Sequence, residues 1–243
     1  MNKFNIMIPK IIHYCWFGNK EKSFLTKLYI KSWKRCLPDY QIMEWNEGNS
    51  PLDANDFVKE AYQSKKYAFV ADYVRLYALY KYGGIYLDTD VLVLKSFNPF
   101  LNDKGFSCFE TLQNYIVGTA VIGCEVENEF IGSFLDYYSN RHFVNDGCCD
   151  IMANTFIFRF LLEPYGLVCN NKKQTLSNGF VIYPRTYFSA KINTGNRLDI
   201  TENTVCIHNF AESWISPKRK LKKKVLNAIS YLKIKRILNE WGR

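Results

Sequence analysis

Residues 83–91 read GGIYLDTDV: a glycine pair, a short apolar run, and two carboxylates one residue apart. The apolar character resumes as VLVL through residue 94, so IYLDTDVLVL reads as one buried strand. Alternation along an extended chain would then set Asp88 and Asp90 side by side on one face. Two adjacent carboxylates repel each other and lose hydration unless a positive charge stands between them. A hard divalent cation, Mn²⁺ or Mg²⁺, supplies that charge, takes oxygen ligands and keeps positions open for phosphates. An isolated D-x-D is equally a capped turn, so the neighbouring sequence has to decide.

Immediately upstream, KKYAFVADYVRLYALYKYGG sets Phe69, Tyr73, Leu76 and Tyr80 at helical spacing and stops at the glycines. Gly83 is expected to end that helix in a left-handed turn. Asp72 and Arg75, three apart, share one helix face and can act on a common ligand or on each other. Farther out, IPKIIHYCWFG reads as a first strand, residues 21–36 as a helix ended by Pro38, QIMEW as a second strand, and residues 53–82 as a helix in two pieces. Strands are expected near 105–109, 117–123, 180–183 and 204–208, with helices near 127–139 and 150–163. Strands alternating with helices predict an α/β layered fold.

With 243 residues, 48% of them hydrophobic, the chain can bury a sizeable core. Its first apolar residues are interrupted by Pro9, Lys10 and His13, no signal-peptide pattern is seen, and no long uncharged apolar run predicts a membrane span. A cytoplasmic location is the expectation. Eight cysteines without a C-x-x-C pair read as reduced thiols, and their spacing does not fit a zinc site.

Charge is segregated. Of 32 Lys and Arg and 23 Asp and Glu, ten basic residues and the single acid Glu240 fall in 217–243, which leaves 22 of each sign in 1–216. Within 217–243, Val225, Leu226, Ile229, Leu232, Ile234, Ile237, Leu238 and Trp241 recur at largely helical intervals between the lysines. This predicts a basic amphipathic helix for an anionic membrane surface, peripheral at the inner face, or else for the body or a second subunit. No nucleic-acid module is recognisable. The chain thus divides into a body, 1–216, and a basic helical tail, 217–243.

Phosphohydrolases of the haloacid dehalogenase type also carry D-x-D after an apolar strand, but Leu92 stands where their pattern has Thr or Val. GGIYLDTDV together with AFVADYVRLYALYKY instead resembles the core of glycosyltransferase family 32, and more distantly the large clostridial glucosylating toxins. The resemblance extends to IPKIIHYCWFG, SWKRCLPDYQIMEWNE, IYPRTYFSAK and TENTVCIHNFAESW. It implies a GT-A fold, with a Rossmann-like nucleotide-binding layer and a mixed central sheet joined to an acceptor-binding half, and a nucleotide-sugar donor held by a metal.

The resemblance also implies roles. Trp16 would stack on the donor base, Asp72 and Arg75 would hold hydroxyls of the transferring sugar, and Ser213 and Trp214 would form a closing loop. Asp90 would bind the ion directly, while Asp88 would serve the ribose and a metal-bound water. His208 is either a further ligand or a satisfied core histidine, and Asn154 would contact the acceptor or the sugar. The implied activity is metal-dependent, retaining transfer of a hexose from a nucleotide sugar, a UDP-sugar first, to a saccharide acceptor, and the basic tail suggests that this acceptor is carried on a lipid, as in capsule or O-antigen assembly. A non-catalytic carbohydrate-binding protein and an effector that glycosylates a host protein are the alternatives.

Overall fold

The computed structural model describes residues 7–110, 116–192 and 197–211. In chain order the elements begin with β1 (Ile11–Cys15), α1 (Phe24–Cys36), β2 (Gln41–Trp45), α2 (Asp56–Gln63), α3 (Tyr67–Tyr82), β3 (Gly84–Leu87) and β4 (Val91–Val93). They continue with β5 (Gly105–Cys108), β6 (Val121–Cys124), α4 (Glu129–Asp136), β7 (Val144–Asn145), β8 (Cys148–Cys149), α5 (Asn154–Leu162), β9 (Gln174–Thr175), β10 (Phe180–Tyr183), α6 (Arg185–Phe188) and β11 (Cys206–His208). The alternation expected from the sequence is present, and helices and strands fall where their patterns put them, with ends shifted by a few residues.

Seven strands form a mixed sheet in the order β2-β1-β3-β6-β5-β10-β9, parallel at β2-β1-β3 and β5-β10 and antiparallel at the other pairings. Side chains alternate between two cores. Tyr86, Ile122, Phe180 and Ile182 face the core shared with α2 to α5, whereas Ile85, Leu87, Val121, Val181 and Tyr183 face the one that holds Trp33 of α1 and Phe188 of α6. Covering both faces accounts for strands that read as continuous apolar runs rather than alternating ones.

The order 2-1-3 means that the chain leaves β1 toward one side and returns to pair β3 on the other. In such sheets ligands gather at the carboxyl ends of the strands flanking the reversal. Here those ends carry Trp16, just after β1, and Asp88, just after β3.

One expectation needs correction. IYLDTDVLVL is not a single strand: β3 stops at Leu87, residues 88–90 turn, and β4 joins a separate two-stranded sheet with β11. Asp is disfavoured in strand interiors and favoured in turns, and here the turn is closed by the Val91 N–H donating to the Asp88 carbonyl at 3.0 Å. Helix α1 fixes β4 from behind, since Trp33 Nε1 donates to the Val91 carbonyl (2.8 Å) and the Val93 N–H donates to Ser32 Oγ (3.1 Å).

A second correction concerns the helix stop. The Gly83 N–H caps the Leu79 carbonyl, but its dihedrals, φ 60° and ψ −160°, lie outside the left-handed helical region, in territory essentially confined to glycine. Gly84 follows with φ 96°, and a Cβ there would sit 2.6 Å from the Ile11 carbonyl oxygen. The predicted helix in 217–243, Ser213 and Trp214 lie outside the described residues.

Candidate active site

Asp88 and Asp90 converge even though the alternation argument that paired them fails. The turn is held from two sides. The Asp88 N–H donates to the Ala120 carbonyl of the central sheet (2.9 Å), while the Asp90 carbonyl accepts from Asn209 N (3.1 Å) and Asn209 Nδ2 (3.0 Å) beyond β11. The Ala211 N–H donates to Asp90 Oδ2 at 2.6 Å. Because β11 pairs with β4 in the register His208↔Val91, His208 lies beside the residue that follows Asp90. Ligand atoms of Asp88, Asp90 and His208 consequently all lie within 4.8 Å of one another.

That group fits a hard divalent ion. Asp88 Oδ1 accepts from Tyr86 Oη (2.9 Å) and stands 3.5 Å from Arg75 Nη2. Asp90 keeps Oδ1, 3.4 Å from His208 Nε2, while Oδ2 is committed to the Ala211 N–H. His208 Nδ1 lies 2.8 Å from Glu110 Oε1, the second-layer carboxylate that typically orients a metal-binding imidazole.

Burial disfavours the His208 charge, yet Asp90 and Glu110 together hold the imidazole well above its usual range, so a proton compensates these acids where an ion would otherwise do so. Burial also disfavours the Asp90 anion, but His208 and the Ala211 N–H keep its carboxyl below the ordinary value. Asp88 is pushed up by burial and by Asp90, against the pull of Arg75.

The second part of the site comes from α3. Arg75, 5% exposed, donates from Nη1 to the Thr119 carbonyl (2.7 Å) and from Nε to the Ala71 carbonyl (3.2 Å), and its Nη2 pairs with Asp72 Oδ1 at 2.7 Å. Its guanidinium carbon lies 4.6 Å from the centre of the Tyr86 ring. The three-residue spacing read from the sequence is therefore an ion pair, and the same cation also reaches Asp88. Burial pushes Asp72 up to about 6, while Arg75 and Asn154 oppose it, so Asp72 is mostly ionised at neutral pH.

Asn154, the first residue of α5, accepts from Tyr138 Oη at Oδ1 (3.3 Å). Its amide favours the Asp72 anion without reaching a hydrogen bond, and Nδ2 is buried with no partner among the described residues. A buried N–H group without an acceptor is costly, so Nδ2 is a ready donor to a ligand oxygen. Trp16 is half-buried, anchored by Nε1 donating to the Lys20 carbonyl (2.6 Å), with Lys22 Nζ 5.3 Å from its ring centre. Continuing the β1–β3 register of His13↔Tyr86 sets it level with the 88–90 turn.

Of the residues singled out in the sequence, Asp72, Arg75, Asp88, Asp90 and His208 form one connected cluster, with Asn154 against Asp72 and Trp16 at the neighbouring strand end. Tyr86, Glu110, Asn209 and Thr119 were not anticipated. Tyr86 stands two residues before Asp88 and could have been found from strand alternation. Glu110 reaches His208 across 98 residues, and no local signal marks it.

Residues 23–107 match the family described as "Glycosyltransferase sugar-binding region containing DXD motif", a stretch that includes Asp72, Arg75, Asp88 and Asp90. The chain is 36% identical over 102 residues to inositol phosphoceramide mannosyltransferase 3 of Schizosaccharomyces pombe, covering 39% of this chain and 28% of that protein. It is 28% identical over 120 residues to lactosylceramide 4-alpha-galactosyltransferase of Homo sapiens, covering 43% and 31%. The match therefore spans less than a third of either relative. Among solved structures, a glycosyltransferase involved in the glycosylation of the major capsid of PBCV-1 aligns over 87% of this chain and 97% of its own, at 10% identity and a TM-score of 0.49.

Proposed function

We propose that this chain, whose residues 23–107 are a DXD sugar-binding region of the glycosyltransferase type, is a metal-dependent transferase that moves a hexose from a nucleotide sugar to a saccharide acceptor with retention. The observation that carries this reading is the meeting of Asp88, Asp90 and His208 within 4.8 Å, beside the Asp72–Arg75 pair. Retention and the choice of a UDP-sugar rest on the family resemblance. The names of the relatives, an inositol phosphoceramide mannosyltransferase and a lactosylceramide galactosyltransferase, support an acceptor carried on a lipid. Its use at the cytoplasmic membrane face for a surface polysaccharide rests on the basic segment 217–243.

Asp88, Asp90 and His208 would hold Mn²⁺ or Mg²⁺. The bound ion would supply positive charge against the diphosphate that departs as the sugar bond breaks. The chain's own residues do the rest. Asp72 accepts hydroxyl hydrogens of the sugar, and Asn154 Nδ2 donates to one of its oxygens. Arg75 keeps Asp72 ionised and in place, and charge-assisted bonds of this kind are about twice as strong as neutral ones. Trp16 offers an apolar face to the base. Ser213 and Trp214 are proposed to close over the donor, as the resemblance implies.

The test is hydrolysis and transfer with a panel of UDP- and GDP-sugars, with Mn²⁺ added or chelated, for the wild type and Asp90→Asn. Turnover should require the metal and fall on the order of 10²-fold or more in the variant, the usual scale for losing an electrostatic group at a leaving-group site. Metal-independent behaviour with every donor would sink the reading.

A further inference from the structure

Helix α5 is apolar on two faces. Asn154, Ile157, Phe158 and Leu162 point inward, and Phe158 stacks on Phe134 at 5.4 Å, so the helix is firmly seated. Its outward face nevertheless carries Phe156 and Phe160, 50% and 67% exposed, where a surface helix ordinarily places polar residues. Ile151 and Met152, 74% and 53% exposed, extend this stripe just before the helix. Large exposed apolar residues clustered in this way mark a contact surface.

We infer that this stripe is a membrane-docking face that enters the apolar boundary of an anionic lipid bilayer and brings the site to a lipid-carried acceptor. The second half of the inference rests on the transferase reading above. Position supports it, because α5 begins at Asn154, beside Asp72, so the stripe starts at the rim of the carboxylate cluster. Charge supports it independently. The body carries 22 charges of each sign, whereas residues 217–243 hold ten basic residues against one acid.

That basic segment is tethered at the same place. The Ala211 N–H is bound to Asp90, and the basic segment begins six residues farther along the chain, a length that spans about 20 Å at most. An apolar stripe and a cationic segment starting from one site are the two components of peripheral membrane binding: acyl-boundary insertion and attraction to anionic headgroups. A neutral protein surface would have use for the stripe but not for the ten basic residues, whereas an anionic bilayer uses both.

The experiment is co-sedimentation of the full chain with vesicles of phosphatidylcholine mixed with phosphatidylglycerol, comparing the wild type with a Phe156→Ser, Phe160→Ser double variant. Wild type should partition into the mixed vesicles, and the variant about tenfold or more weakly, with its melting temperature and oligomeric state unchanged. Equal partition of the two proteins, or none by the wild type, overturns the proposal. A wild-type dimer that the variant converts to monomer also overturns it, by giving the stripe to a second copy. Donor hydrolysis is measured alongside and should match between the two proteins, since neither phenylalanine belongs to the cluster. Its absence from both would count against the transferase reading and leave the vesicle result standing.

Discussion

At the scale of single residues, Arg75 does what no other cation of the site could. Its planar fork meets Asp72, the Thr119 carbonyl and the edge of Asp88 simultaneously, while its face lies over Tyr86. Lysine is a point charge on a flexible stem and cannot keep that geometry. Arg75→Lys should lose two charge-assisted contacts at about 1.5 kcal/mol each, on the order of 10²-fold in kcat/KM. Steady-state kinetics on a variant with wild-type far-UV circular dichroism would check this, and near-normal kcat/KM would show that the fork is dispensable. The pairing of Asp72 with Arg75 was legible in the sequence because a helix fixes which residues are neighbours. The contact from Arg75 to Asp88 was not, because it depends on how α3 packs against β3.

At the scale of elements, the instructive case is the run 85–94. Apolar residues on both sides argued for one strand, but its middle carries Asp88 and Asp90, whose preference for turns splits it. The two acids meet through a turn clamped by Ala120 on one side and Asn209 and Ala211 on the other, rather than through pleating. The pairing of β4 with β11 lies beyond any local pattern, as does Glu110 behind His208. The glycine stop was read correctly as a position needing glycine, though in a different backbone region. Gly84→Ala tests the close approach of β3 to β1: positive φ and a Cβ 2.6 Å from a backbone oxygen should together cost about 3 kcal/mol. Urea unfolding would read this as a lowered midpoint with unchanged slope.

At the scale of the whole molecule, stability should depend on pH through groups whose contributions have opposite signs. His13 is fully buried between β2 and the end of α3. Trp45 Nε1 can only donate to its Nδ1 (3.1 Å) and the Gly83 carbonyl can only accept from its Nε2 (2.8 Å), so the ring is neutral with its proton on Nε2. Burial lowers its pKa from 6.5 to about 4, and the Gly83 bond only partly offsets this. The unfolded chain therefore takes up a proton first. His13 costs nothing above pH 6.5 and removes stability as pH falls toward 4, by roughly 3 kcal/mol in all. Asp72 works the other way: with its folded pKa raised to about 6, it adds stability as pH falls through that value toward 3.8. Denaturant midpoints of the wild type and His13→Gln, measured from pH 7.5 to 4.5, isolate the first effect. The advantage of the wild type should shrink as the pH is lowered, and a constant difference would show that His13 does not titrate in this window.

The cluster is also drawn from stretches made at different times during synthesis. Asp90 and Ala211 are 121 residues apart, so at about 5–20 residues per second the acids wait roughly 6–24 s for their last partners. Arg75 precedes both acids in the chain, and the helix that carries it also precedes the turn. A nascent chain therefore meets Asp88 and Asp90 with a cation already present, and of the three groups that converge the His208 imidazole arrives last.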